Sequence, residues 1–110
     1  MSSEVEWKTL TTYLGGESIA GGKIKSTGTT FWSSPNTGVT NESGFSALPG
    51  GLRGNDRGNF GNYRIHAYFW SSNSYTTSLA GFHVLQNISG YVDRDLFDKQ
   101  IGCSVRCLRD

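Results

Sequence analysis

Trp7, Leu10 and Leu14 recur at the spacing of one helical face, and the residues around them supply both ends of the helix. Ser3 stands three residues before Glu6, a capping box in which each side chain satisfies the other's free backbone amide. Gly15-Gly16 tolerates the left-handed conformation in which helices stop. The pattern predicts a helix over residues 4–14 with its Trp7 face buried. Residues 17–25, ESIAGGKIK, predict another helical turn, although Gly21 and Gly22 each cost about 1 kcal/mol against Ala in a helix interior.

From residue 26 the helical period gives way to turns and alternation. NYRIHAYFW (62–70) places Tyr63, Ile65, Ala67 and Phe69 on one face and Arg64, His66, Tyr68 and Trp70 on the other, which predicts a strand covered on both sides. AGFHVLQNI (80–88) puts Phe82 and Val84 opposite His83 and Leu85. IGCSVRCL (101–108) groups Ile101, Cys103, Val105 and Cys107 against Ser104, Arg106 and Leu108. These three segments are expected to pair antiparallel. The intervening stretch has only short candidate strands; loops this long are usually functional or disordered, and Phe31, Trp32, Phe45 and Leu48 are expected to pin this one in order.

The tetrapeptide FWSS occurs at 31–34 and again at 69–72, but the flanking residues diverge at once. A repeat architecture would extend the similarity across its whole period. The two copies are read instead as two places where a strand carries a large aromatic and stops at Ser-Ser.

A chain of 110 residues suits one domain with a single core. Its 15 Gly, 2 Pro and 13% aromatic content favour short strands, many turns and a core whose volume comes from rings. A formal charge of +1 with 17% charged residues supplies no electrostatic footprint for nucleic acid or anionic lipid. No apolar run approaches the roughly 20 residues of a membrane span, and MSSEVEWKTL lacks the basic and apolar regions of an export signal.

EWKTLTTYLGG, GGKIKSTGTTFWSSPNTGVTNESGFSALPGGLR, YFWSS and KQIGCSVRCLRD together resemble, nearly end to end, the bacterial family called the Fibrobacter succinogenes major paralogous domain, with TNESGFSALPGG and SVRCLRD as the specific parts. The resemblance implies an α+β, C-type-lectin-like fold, an N-terminal helix packed on a twisted antiparallel sheet with long ordered loops. It implies kinship with formylglycine-generating enzymes and with ligand-binding proteins diversified by mutagenic retrohoming, and a secreted or surface location. The family has no established activity. In its pattern Trp32 begins the central loop region and Trp70 ends a core strand. A segment like CPxGWxxPT usually precedes the helix and does not here, so a closing strand is expected to be missing and a sheet edge unpaired, open to self-association.

Cys103 and Cys107 invite an oxidase reading, because the formylglycine-generating relatives hold copper with two cysteines. Four residues along a strand span roughly 13 Å, against about 7 Å between the Cα atoms of a disulfide. Both are therefore read as free, buried core thiols; by resemblance Cys107 matches the position that pairs with the family's N-terminal Cys. His66 and His83 have no ligand at metal-binding spacing. SPN at 34–36 with Asn41 and Glu42 is similar to the calcium loop of animal C-type lectins, but a Pro-Asn turn followed by Gly also has purely backbone reasons. GNDRGNFGN precedes no helix and contains no Lys, and reads as a turn rather than a phosphate cradle. Asn41 and Asn87 begin glycosylation-type triplets that carry little meaning in a bacterial chain. No cofactor or metal is implied.

The remaining chemistry is that of a surface. Trp70, Asn73, Tyr75, Tyr91, Asp93, Arg94 and Asp95 mix aromatic with short polar and charged residues, as adaptable binding surfaces do. In lectin-like relatives this C-terminal region carries recognition residues. These seven are expected to form one exposed patch that binds a glycan or a surface protein without catalysis. The alternatives are an oxidase of the formylglycine-generating type and a structural domain that associates with its own kind.

Overall fold

The computed structural model describes residues 2–54, 60–74 and 76–106. Two helices, α1 (Glu4–Tyr13) and α2 (Glu17–Ile24), precede a two-residue hairpin, β1 (Leu52–Arg53) with β2 (Phe60–Gly61), and an antiparallel sheet of β3 (His66–Ser74), β4 (Leu79–Gln86) and β5 (Val92–Asp98) in the order β3-β4-β5. The molecule is thus a small α+β domain. Among the described residues no helix is long and apolar enough to cross a membrane.

α1 starts as its sequence predicts. Ser3 Oγ accepts from the Glu6 amide at 3.2 Å, and Glu6 Oε1 accepts from the Ser3 amide at 2.9 Å. The helix ends at Tyr13 with Leu14 as its cap; Trp7 is buried against the sheet residues Phe69 and His83, and Leu14 is buried in the same core. The two glycines that argue against α2 on propensity are the reason it can pack. A Cβ on Gly21 would run into the carbonyls of Gly90 and Tyr91, and one on Gly22 into the carbonyl of Gly38. Both loops lie directly on the helix backbone, and Gly22 O accepts from the Thr40 amide at 2.8 Å. Gly22→Ala should therefore destabilise the protein by about 1–3 kcal/mol through overpacking, against the roughly 1 kcal/mol gain that helix propensity alone assigns. Urea denaturation of the variant checks the sign.

Alternation within β3 and β4 holds. Ala67, Phe69 and Leu85 enter the main core with Trp7, Ile24, Trp32 and Val92, while Tyr68, Phe82 and Val84 form a second cluster on the sheet's outer face. The start of β3 differs from the expected 62. Asn62 and Arg64 have positive φ, 58° and 74°, so residues 63–65 turn; Tyr63 and Ile65 are exposed, and the strand runs on through the second Ser-Ser to Ser74.

The third strand is a correction. Residues 101–106 make only isolated bridges, Gly102 with Arg53 and Ser104 with Phe69, the latter parallel, and Val105 is exposed rather than aligned inward with Cys103. The strand that completes the sheet is β5, whose VDRDLFD has an alternation masked by charge. A sheet edge tolerates such residues because one side faces water. Cys107 and Leu108 lie outside the described residues.

The long connection is pinned, by two of the four side chains expected and by one more that was not. Trp32 is fully buried with Nε1 donating to Ala47 O at 2.9 Å, and Phe45 packs on Trp7 and Phe69. Phe31 and Leu48 are instead about half exposed, and Phe31-Trp32 lies in no strand. The principal anchor is Lys25. It is fully buried, and its ammonium donates to the carbonyls of Gln86 (2.9 Å), Thr37 and Ser89 (3.0 Å each). One side chain thereby joins α2, the loop and the end of β4.

Candidate functional site

The register of the sheet builds the outer face from the backbone up. Residues directly opposite across an antiparallel ladder share a face, so Trp70, Phe82 and Asp95 form one row across the three strands, and Tyr68, Val84 and Asp93 form the next. Phe97, two residues beyond Asp95, stacks on Phe82 with ring centroids 3.9 Å apart and planes within 7°, and meets Trp70 edge-on at 6.5 Å. Phe82 is buried, Trp70 and Phe97 are half-buried, and Asp93 and Asp95 are exposed. The face carries an aromatic cluster, against which Leu52 and Cys103 also pack, with carboxylates along one strand.

Its other end is polar. Asn62 Nδ2 donates to the Tyr68 hydroxyl at 2.9 Å, and Gln86 Nε2 donates to Asp93 Oδ2 at 3.3 Å. Gln86 also bonds His66, whose ring lies 5.4 Å from that of Tyr68. Burial lowers the His66 pKa, partly opposed by the Gln86 bond, which leaves the ring neutral at pH 7. Burial raises the pKa of the Tyr68 hydroxyl and, more strongly, that of the half-buried Cys103 thiol, to about 12. A thiol held protonated is a poor nucleophile and a poor metal ligand.

Of the seven residues singled out in the sequence, the structure brings Trp70, Asp93 and Asp95 to this face. Arg94 is on the opposite face of β5, in a row with Phe69 and His83, and points at Glu4 (3.5 Å) and Glu17 (3.6 Å). Period-two alternation alone separates it from its two Asp neighbours. Tyr91 is 53% exposed but precedes β5, and its carbonyl lies against α2 at Gly21. Asn73 lies in β3 past a register break; its side chain and all of Tyr75 are outside the described residues. The expected single patch of seven thus reduces to three residues on one face, two elsewhere and two without a described side chain.

Phe97, Gln86 and Asn62 join the site without having been singled out. Asp93, Asp95 and Phe97 have the spacing of one strand face, which is the signal that identifies Phe97. Nothing local marks Asn62, which reaches Tyr68 through the turn before β3.

A second polar group lies beneath the sheet. Buried His83 stacks on Trp7 at 4.8 Å, with Nε2 3.4 Å from Glu4 Oε2, and Ser71 donates to Glu4 Oε1 at 2.8 Å. Burial dominates and lowers the His83 pKa, so the ring packs as a neutral core residue. In the SPN segment the Asn36 amide donates to the carbonyls of Ser26 and Gly28, Asn41 closes onto Ser46, and Glu42 lies 3.9 Å from Lys23. Each of the three is engaged locally rather than turned to a common centre. Among the described residues no three His, Cys, Asp or Glu side chains gather to hold a metal.

Residues 1–109 match the model of the Fibrobacter succinogenes major domain. No curated protein and no solved structure matches the chain.

Proposed function

The chain belongs to the Fibrobacter succinogenes major domain family, and we propose that it is a non-catalytic, C-type-lectin-like recognition module that binds a glycan or a protein loop on the outer face of its sheet. The observation that carries this reading is the row of Trp70, Phe82 and Asp95, in which a half-buried indole stands on a ring stack beside an exposed carboxylate. A flat ring offers an apolar surface to the C–H side of a sugar or to a loop and loses little side-chain entropy on binding. Asp93 and Asp95 accept hydrogen bonds from hydroxyl or amide donors. Neither row contains a basic side chain, so the face favours neutral or cationic ligands over sulfated and uronic ones.

A glycan and surface-protein array of the whole chain identifies the ligand. Trp70→Ala is then expected to weaken binding by about 2 kcal/mol, roughly thirtyfold in Kd, as a central aromatic contact does. Asp95→Ala should weaken it with little loss of thermal stability, since the side chain is exposed. Tyr13→Ala, 85% exposed on α1, is the control and leaves binding unchanged. An array hit that survives both Trp70→Ala and Asp95→Ala, or one confined to polyanionic glycans, rules out this face as the site.

A further inference from the structure

β5 is an outer strand, and among the described residues no backbone group is paired with the free edge between Val92 and Leu96. The Lys99 amide donates across to Ser78 O at 2.9 Å, whereas the Leu96 amide turns away from β4 and is held by the carboxylate of its neighbour Asp95 at 2.8 Å. Odd-numbered residues therefore bond inward, and Val92, Arg94 and Leu96 direct their backbone groups outward; Asp98 shares that side, with its carbonyl already accepting one bond from the Ile101 amide at 3.0 Å and keeping its second lone pair. Leu96 is 37% exposed on that edge.

We propose that β5 pairs antiparallel with β5 of a second copy of this chain, in the register centred on Leu96, joining two three-stranded sheets into one of six. A two-fold axis perpendicular to the sheet preserves its faces and sets residues opposite one another whose numbers have a constant sum. Centred on Arg94, the pairing opposes Asp93 to Asp95; centred on Asp95, it opposes the two Asp95 side chains. Both put like charges in directly facing positions, which is destabilising. Centred on Leu96, it faces Arg94 with Asp98 twice and Asp93 with Lys99 twice, and sets Leu96 against its own copy. Centred on Phe97, it leaves only Asp95 with Lys99 as opposite charges. The order of charges in DRDLFDK thus disfavours the registers centred on Arg94 and Asp95, and favours the one centred on Leu96, with four opposite-charge pairs, over the one centred on Phe97, with two. Arg94 meets Asp98 on the inner face while its contacts to Glu4 and Glu17 stay on its own subunit. Both outer faces, each with its Trp70, then look the same way, and a ligand with repeated epitopes is held bivalently.

Sedimentation equilibrium of the full chain over a concentration series tests the pairing. The native chain is expected to move from 12.0 kDa towards twice that mass with concentration. Asp93→Lys and Lys99→Asp each place like charges opposite one another and should sediment as monomers, while the double variant restores the opposite signs and should dimerise again. Leu96→Pro deletes an outward amide without touching the ladder to β4 and should also be monomeric, with circular dichroism confirming that each variant is folded. A native chain that stays monomeric overturns the proposal. So does a dimer that persists in both Lys99→Asp and Leu96→Pro, or one that the double charge exchange fails to recover.

Discussion

Trp7→Ala is expected to lower the unfolding free energy by about 3–5 kcal/mol, the range for truncating a large aromatic inside a core. Trp7 is 2% exposed and stands where α1 meets both the sheet and the long loop. Its ring stacks on His83 at 4.8 Å and lies 5.6 Å from Phe69 and 6.0 Å from Phe45. Removing it opens a void between helix, sheet and long loop at once, so little can collapse into the space. Trp7→Phe should cost clearly less. It keeps most of the ring contact and removes an indole N–H that is buried without a hydrogen-bond partner. Chemical denaturation of the two variants side by side separates the loss of packing from any polar role; equal costs would show that the ring stack contributes little.

Lys25→Met is expected to cost about 3 kcal/mol, because three part-buried carbonyls lose the donor they share and each unsatisfied group costs on the order of 1 kcal/mol or more. Met keeps much of the aliphatic volume, so the loss reports the ammonium itself. Lys25→Arg should not rescue it, since a planar fork cannot reproduce three bonds that converge on one nitrogen. The ammonium also gives the native protein a pH signature. Burial lowers its pKa from 10.5 to about 8, so between those values the unfolded chain binds more protons than the folded one. Stability from this group therefore rises with pH across that window. Cys103 acts in the opposite sense above pH 9, where the unfolded thiol ionises while the folded one holds its proton to about 12. The wild type should gain stability from pH 8 to 9 and then level off. Lys25→Met should lack the gain, and urea unfolding at several pH values measures both limbs.

Local signals sufficed for α1 and for much of the sheet. The capping box at Ser3 and Glu6, the spacing of Trp7 and Leu14, and the alternation of Ala67 to Trp70 and Phe82 to Leu85 each state a period and a boundary within a few residues. The tetrapeptides FWSS likewise show by their flanks that they are not repeats. Wherever a residue's role depends on a distant backbone, the chain alone is silent. Gly21 and Gly22 read as helix-weakening until the carbonyls of Gly38 and Gly90 come to rest on them. Nothing in the sequence distinguishes Lys25 from any other lysine until Thr37, Gln86 and Ser89 surround it. β5 was hidden because a strand paired on one side keeps a charged composition, and IGCSVRCL looked like its replacement because alternation records a face but not a partner. For the site, the sequence by itself marked Trp70, Asp93 and Asp95 as chemically apt. Only the cross-strand register decided that they share a face, that Phe97 belongs with them and that Arg94 does not, since pairing is a long-range choice among strands and leaves no imprint in any one of them.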